Sequence, residues 1–310
     1  MRKLLCLYVI MSSLLFTGCF QERVETSQLE KRNEIVYKIG EKNPFSGIIK
    51  NYYINGKLKV EYSYKKGKLH GKYKEYFENG KLAKEIEFKD GIRHGIVRCY
   101  CGDEEKLHQD SLYKDGKLTG KRITYYPDGT LLEITEWEDD KLSGMFEQYY
   151  ESGKLKVKGN FINGEADGAA HEYYENGTLL GETYYIHGKA EGYSKEYYSD
   201  GKLAKELNYE NGFEHGNIVN YHPNGNISEK GNYIYGKKEG VWTTYHLNGN
   251  PINKITYKDN DSKSGEEYNY DLKGNLELKV TWNTINDEFI YEHYKNGKII
   301  NKIVQGNDKK

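Results

Sequence analysis

Proline is nearly missing from this chain, with 4 residues in 310, and the longest apolar stretch, Leu4 to Phe16, runs for only thirteen. Thirteen residues fall short of the roughly 20 that a membrane-spanning helix needs. Charge of one sign is also missing. Acidic and basic residues number 47 and 46, the net charge is −1 and the isoelectric point is about 6.8. Neither nucleic acid nor anionic lipid is expected to bind such a chain through bulk charge. No G-x-x-x-x-G-K-[ST] loop, G-x-S-x-G elbow or H-E-x-x-H helix occurs, so no catalytic motif points to an enzyme.

Apolar residues make up 36% and charged residues 30%, and the mean hydropathy of −0.90 leans towards disorder. Two excesses argue the other way: 31 Tyr against 9 Phe, and 34 Gly against 4 Pro. Tyrosine buries a ring while its hydroxyl stays wet, which suits a half-exposed strand, and glycine supplies the positive φ of tight turns. Strands and turns are therefore expected.

A repeat carries this expectation further. Aligning on an opening glycine gives Gly47, Gly71, Gly95, Gly120, Gly144, Gly168, Gly192, Gly216, Gly240 and Gly265, spaced by 24 residues and twice by 25. An eleventh, shortened repeat starts near Glu288. Counting that glycine as zero, place five is always Tyr: Tyr52, Tyr76, Tyr100, Tyr125, Tyr149, Tyr173, Tyr197, Tyr221, Tyr245 and Tyr270. An Asn-Gly or Asp-Gly turn usually follows, read as type I′ with both central residues at positive φ. Place eleven is mostly Leu or Ile, and an aromatic at place seventeen closes a second strand.

The expected fold is all-β: an elongated antiparallel meander of about ten 24-residue hairpins, on the order of 100 Å long. Alternation along the second strand puts places eleven, fifteen and seventeen on an apolar face and the charged place fourteen on the other. The Tyr row, with Tyr125, Tyr149, Tyr173, Tyr197, Tyr221 and Tyr245 at its centre, is expected as a packed spine or as the lining of a binding groove. Place six changes from Tyr or Phe to His222, His246 and Asp271 along the chain, as a tuned surface or as drift where nothing binds. Residues 34–46 are read as a capping strand ahead of an array over 47–310, and residues 19–33 as a polar tether without turns.

Other candidates for chemistry are weaker. Cys99 and Cys101, in RCYCGD, share one face of a strand; a structural role comes ahead of a redox pair or a metal site, which would need more ligands than nearby His94 and His108 supply. Asp259 and Asp261 open a stretch like a calcium loop, but Lys263 takes the third ligand place, so a polar turn is expected. His70, His94 and His215 share a place that elsewhere holds Thr119, Ser143, Asp167 or Glu191, as a solvated turn would. No metal and no cofactor are expected.

Two resemblances add to these readings. Arg2 and Lys3, the apolar stretch and then Phe16-Thr17-Gly18-Cys19 resemble a secretory signal ending in a bacterial lipobox, with Phe16 in place of the usual Leu. This implies removal of residues 1–18 and acylation of Cys19. Without an aspartate after Cys19, it also implies the outer membrane in a cell that has two. The repeat itself, as in Gly71, Tyr76, Phe77, Asn79, Gly80 and Leu82, and again in Gly168, Tyr173, Tyr174, Asn176, Gly177 and Leu179, resembles the variant MORN repeat of bacterial proteins. That family implies a hairpin meander without catalytic residues, used in protein association or near membranes, and some members are labelled antitoxins.

The function expected from residues and resemblance together is a non-enzymatic, lipid-anchored scaffold that binds a protein at the bacterial envelope. An antitoxin or immunity protein is the first alternative. A wall-glycan module comes second; its Tyr pairs and Asn-Gly turns resemble choline-binding repeats, but 3 Trp are few for sugar stacking.

Overall fold

A computed structural model of the chain describes residues 28–102, 106–258, 262–283 and 288–306. Cys19, the segment 1–18, Asp259 and Asp261 lie outside the described residues, as do parts of the turns after places seventeen of the ninth and tenth repeats. Every named element is a β-strand, and the chain divides into two compact units, Met1–Gly153 and Lys154–Lys310.

In the first unit each strand pairs antiparallel with the next, from Gly47–Tyr52 and Leu58–Lys65 through Lys68–Tyr76 and Leu82–Lys89 to Leu131–Glu138 and Lys141–Tyr149. The second unit repeats the pattern from Leu155–Ile162 to Glu288–Lys295 and Lys298–Gly306. The all-β hairpin meander expected from the repeat is the observed fold. Its N-terminal end differs from the expectation. Leu29–Arg32, inside the stretch read as a turn-free tether, pairs with Ile35–Lys38. Asn33 and Glu34 make the turn between them at φ 49° and 66°.

The type I′ geometry expected at the Asn-Gly turn falls mostly at the other turn of the repeat. At the Asn-Gly turn only the glycine has positive φ, except in the eleventh repeat, where Asn296 and Gly297 are both left-handed at 52° and 71°, as expected. In the sixth repeat Gly177 N donates to the Tyr174 carbonyl and Tyr174 N to that of Thr178, both within 2.9 Å. This is a type I turn closed by a left-handed glycine, the three-residue hairpin loop, and not type I′. Type I′ geometry falls at the other turn, where both residues are left-handed: Lys66-Gly67, Asp90-Gly91, Asn163-Gly164, His187-Gly188 and Asn211-Gly212. Asp139-Asp140 manages it without glycine, because the Asp140 carboxylate accepts from Leu118 N at 2.8 Å.

Register then decides the faces. Place two pairs with place fifteen, as Ser194 with Leu207, whereas place five pairs with place eleven, as Tyr197 with Leu203. Paired residues share a face, and places two and five lie three residues apart on one strand, so they point oppositely. A register shift beside place five sets Leu203 apart from Leu207. Places five and eleven therefore lie with the charged place fourteen, and not on the apolar face where alternation had put place eleven.

The buried row runs through places two and fifteen: Ile49, Tyr62, Ile86 and Val97 in the first unit, Leu207, Ile218 and Trp242 in the second. Aromatics of place seventeen flank it. Tyr233 meets Trp242 edge-on at 4.9 Å and Tyr257 does so at 6.3 Å. With Leu207 2% and Trp242 3% exposed, neighbouring repeats already cover this face, and it offers no open groove there.

Candidate binding surface

The six tyrosines of the candidate row are all half-buried, and each lies on the charged face of its unit. What each meets depends on place fourteen of the preceding repeat. Where that residue is glutamate, the phenol donates to it: Tyr197 to Glu182 at 3.2 Å and Tyr221 to Glu206 at 2.6 Å. Where it is lysine, the ammonium lies over the ring: Lys158 over Tyr173 at 5.9 Å and Lys230 over Tyr245 at 5.7 Å. In the first unit Tyr149 donates to Glu147 at 2.5 Å, and Tyr125 pairs with Leu131.

Burial and the carboxylate contacts hold Tyr149, Tyr197 and Tyr221 protonated. The hydrogen bond to Glu206, and then burial, push Tyr221 up to about 12. Burial, and then Glu147, push Tyr149 up to about 12. A neutral phenol beside a carboxylate donates a hydrogen bond and does not act as a base at neutral pH. The row presents ring edges and hydroxyls between fixed charges, which suits recognition rather than bond-breaking.

Three structural ladders were missed by sequence reasoning. Place six reaches across to the next repeat: Tyr53 donates to the Tyr76 carbonyl at 2.6 Å and Tyr174 to that of Tyr197 at 2.8 Å. His222 reaches the Tyr245 carbonyl through Nε2 at 2.9 Å, so His preserves the bond that Tyr makes elsewhere. The turn asparagine uses both ends of its amide. Asn176 Oδ1 accepts from Thr178 N at 2.9 Å while Nδ2 donates to the Ser199 carbonyl at 2.9 Å.

The place shared by His70, His94 and His215 is the third ladder. Its side chain accepts from a backbone N–H of the following type I′ turn: Asp115 N to His94 Nδ1 at 3.4 Å, Tyr235 N to His215 Nδ1 at 3.4 Å and Asn211 N to Glu191 Oε2 at 2.9 Å. His, Asp and Glu interchange because each is an acceptor. The recurrence of acceptor types at one place was the signal that could have shown this.

Cys99 and Cys101 are both half-buried, and burial pushes the Cys99 thiol up. A thiol held protonated by burial is a weak nucleophile. Among the described residues no three His, Cys, Asp or Glu side chains stand together as metal ligands.

No curated protein matches the chain. Among solved structures it is similar to the TcdB2-TccC3 crystal structure, at 14% identity and a TM-score of 0.20, over 81% of this chain and 14% of that one. It is also similar to a porin-like protein from Bacteroides uniformis, at 13% identity and a TM-score of 0.18, over 83% and 92%. The chain thus spans about a seventh of the length of the first of these. The model of the MORN repeat variant matches residues 46–66, 69–90, 118–139, 142–163, 166–187, 190–211, 214–235 and 238–259. It passes over the third repeat, where CGDEEKL replaces the usual turn. With eight tandem copies over more than half of its residues, each folding as the same hairpin, the chain belongs to the MORN repeat variant family.

Proposed function

We propose that this protein is a non-enzymatic, lipid-anchored repeat scaffold that binds another protein at the bacterial envelope. The observation that carries the binding is the strand Lys298–Gly306. Its only strand partner among the described residues is Glu288–Lys295. All nine of its residues are exposed, including Ile299, Ile300, Ile303 and Val304. Sheet edges are ordinarily guarded by charge, proline or short length, because unpaired N–H and C=O groups accept any extended chain. Here Lys302 is turned onto Glu292 at 2.9 Å, so its charge does not guard the edge. An extended segment of a partner would add as the next strand, its backbone supplying affinity and its alternate side chains specificity. The tyrosine face offers a second contact surface. The envelope location rests on the resemblance of FTGC to a lipobox.

The test is capture from a detergent extract of the parent cell's envelope, with the full chain as bait beside an Ile299→Lys/Val304→Lys variant. One protein retained by the wild type and lost from the variant is the expected result. A toxin as that protein would narrow the function to immunity. Glycan retained without protein, or equal retention by both baits, would overturn the edge-strand reading.

A further inference from the structure

The hairpin of the eleventh repeat turns differently from its sisters. From Tyr294 to Gly297 is three steps, where Tyr173 to Gly177 takes four, so the loop loses one residue. Lys295 pairs directly with Lys298, and Asn296 and Gly297 between them are left-handed at φ 52° and 71°. This is the two-residue type I′ hairpin. Asn296 is exposed, and its carboxamide makes no hydrogen bond among the described residues. The Gly297 N–H likewise has no acceptor among them.

Elsewhere the asparagine before a glycine is tied down. Asn55, Asn176, Asn224 and Asn248 each accept through Oδ1 from the N–H two residues on. Each also donates through Nδ2 to a carbonyl of the next repeat, all at 2.8–3.2 Å. Asn79 accepts from Lys81 N at 2.9 Å. Asn211 stands at φ 54° in a type I′ turn of its own, but Gly212 N donates to the Ala190 carbonyl at 2.9 Å. Its surroundings are acidic, since Glu191 accepts from Asn211 N at 2.9 Å and Glu210 precedes it. Asn163 shares that turn type, with Ile162 and Glu165 where Asn296 has Lys295 and Lys298.

We propose that Asn296 is a self-modification site, where ring closure by Gly297 N deamidates the side chain and loosens the terminal strand. The ring needs ψ of about −120° at Asn296, the value of a type II′ turn at its first central residue. Types I′ and II′ both keep φ positive there, so a flip of the Asn296–Gly297 peptide reaches it without moving the strands. The flip gives up no hydrogen bond from the Gly297 N–H. Gly297 N loses its proton to water and bonds to Asn296 Cγ, and the side-chain amide takes a proton from water and leaves as ammonia. Water then opens the succinimide. Breaking the Cγ–N bond leaves aspartate; breaking the other carbonyl–N bond leaves isoaspartate, with the backbone running through Cγ. The ammonium groups of Lys295 and Lys298 favour the deprotonated nitrogen and the oxyanion formed on attack, and carboxylates disfavour both. Isoaspartate adds one backbone carbon to a loop whose length sets register, so Lys298–Gly306 slips against Glu288–Lys295. On the protein-binding reading above, ageing would then displace the docking edge.

The test is to incubate the full chain in detergent at mildly alkaline pH and map its peptides by mass spectrometry. Asn296 should convert first of the eight Asn-Gly sites. It should lead Asn55, Asn176, Asn224 and Asn248 by about tenfold or more, since two side-chain hydrogen bonds hold each of those. Hydrogen exchange over 298–306 should quicken in step with conversion. Asn296→Gly keeps a turn that accepts two left-handed residues and removes the carboxamide, so its exchange should stay constant on ageing. Three results would each overturn the proposal: conversion at the four bonded asparagines as fast as at Asn296, conversion that leaves exchange unchanged, or equal quickening in Asn296→Gly. Equal capture of the envelope partner by fresh and fully converted bait would leave this site standing and remove the edge strand from the docking account.

Discussion

At the scale of single residues, the tyrosines at place five show how one side chain serves two charges. Beside glutamate the hydroxyl is used, and beside lysine the ring face is used, so the Tyr stays constant while place fourteen changes sign. This has a consequence at alkaline pH. Phenol is neutral when protonated, and Tyr221 holds its proton up to about 12 when folded, against an ordinary value near 10. Between those values the folded chain binds more protons than the unfolded one. The stabilisation is therefore complete below about pH 10 and is lost as pH rises towards 12. Urea unfolding across this window should show stability falling with pH, and falling less steeply in Tyr221→Phe. Parallel slopes for the two proteins would rule out the Tyr221–Glu206 contact as a source of the pH dependence.

At the scale of elements, turns and strands were legible while faces were not. The 24-residue period, Tyr at place five and Gly after Asn or Asp located nearly every strand boundary, because turn chemistry is local and its signals recur from repeat to repeat. The direction of Leu203 was not legible. A register shift beside Tyr197 reverses alternation, and the residue skipped, place twelve, is Ala204 here but Lys59, Leu132, Ser228 or Glu277 elsewhere. A bulge in the backbone leaves no residue-type mark when any side chain tolerates it.

The type of the Asn-Gly turn was not legible for a related reason. Asn-Gly suits both type I′ and the three-residue loop, and strand register decides between them. Gly177 remains decisive under either geometry, since its φ is 91°. Gly177→Val should cost more than about 1 kcal/mol, because a β-branched residue resists that region, while open space around Gly177 excludes a clash as the cause. Hydrogen exchange should show protection lost around Tyr174–Thr178 first, as nearest-neighbour stability implies. An unchanged melting profile would remove the left-handed turn from the account.

At the scale of the whole molecule, the proposed envelope role needs something to hold the chain to a membrane. Charge cannot do so, because 46 basic residues are balanced by 47 acidic ones. The stretch Leu4–Phe16 is too short to span, which leaves an acyl group on Cys19 as the anchor we propose. The strand Leu29–Arg32 limits the reach from that anchor. Ten residue steps separate Cys19 from Leu29, at most about 36 Å when extended, so folding would begin close to the lipid surface. A partner captured by the scaffold would then be held near the bilayer, and its effective concentration there would depend on the anchor. Cys19→Ser should move most of the protein from the membrane pellet to the soluble fraction, with the fold intact by melting temperature. Pelleting equal to wild type after an alkaline carbonate wash would show that something other than this thioether lipid holds it.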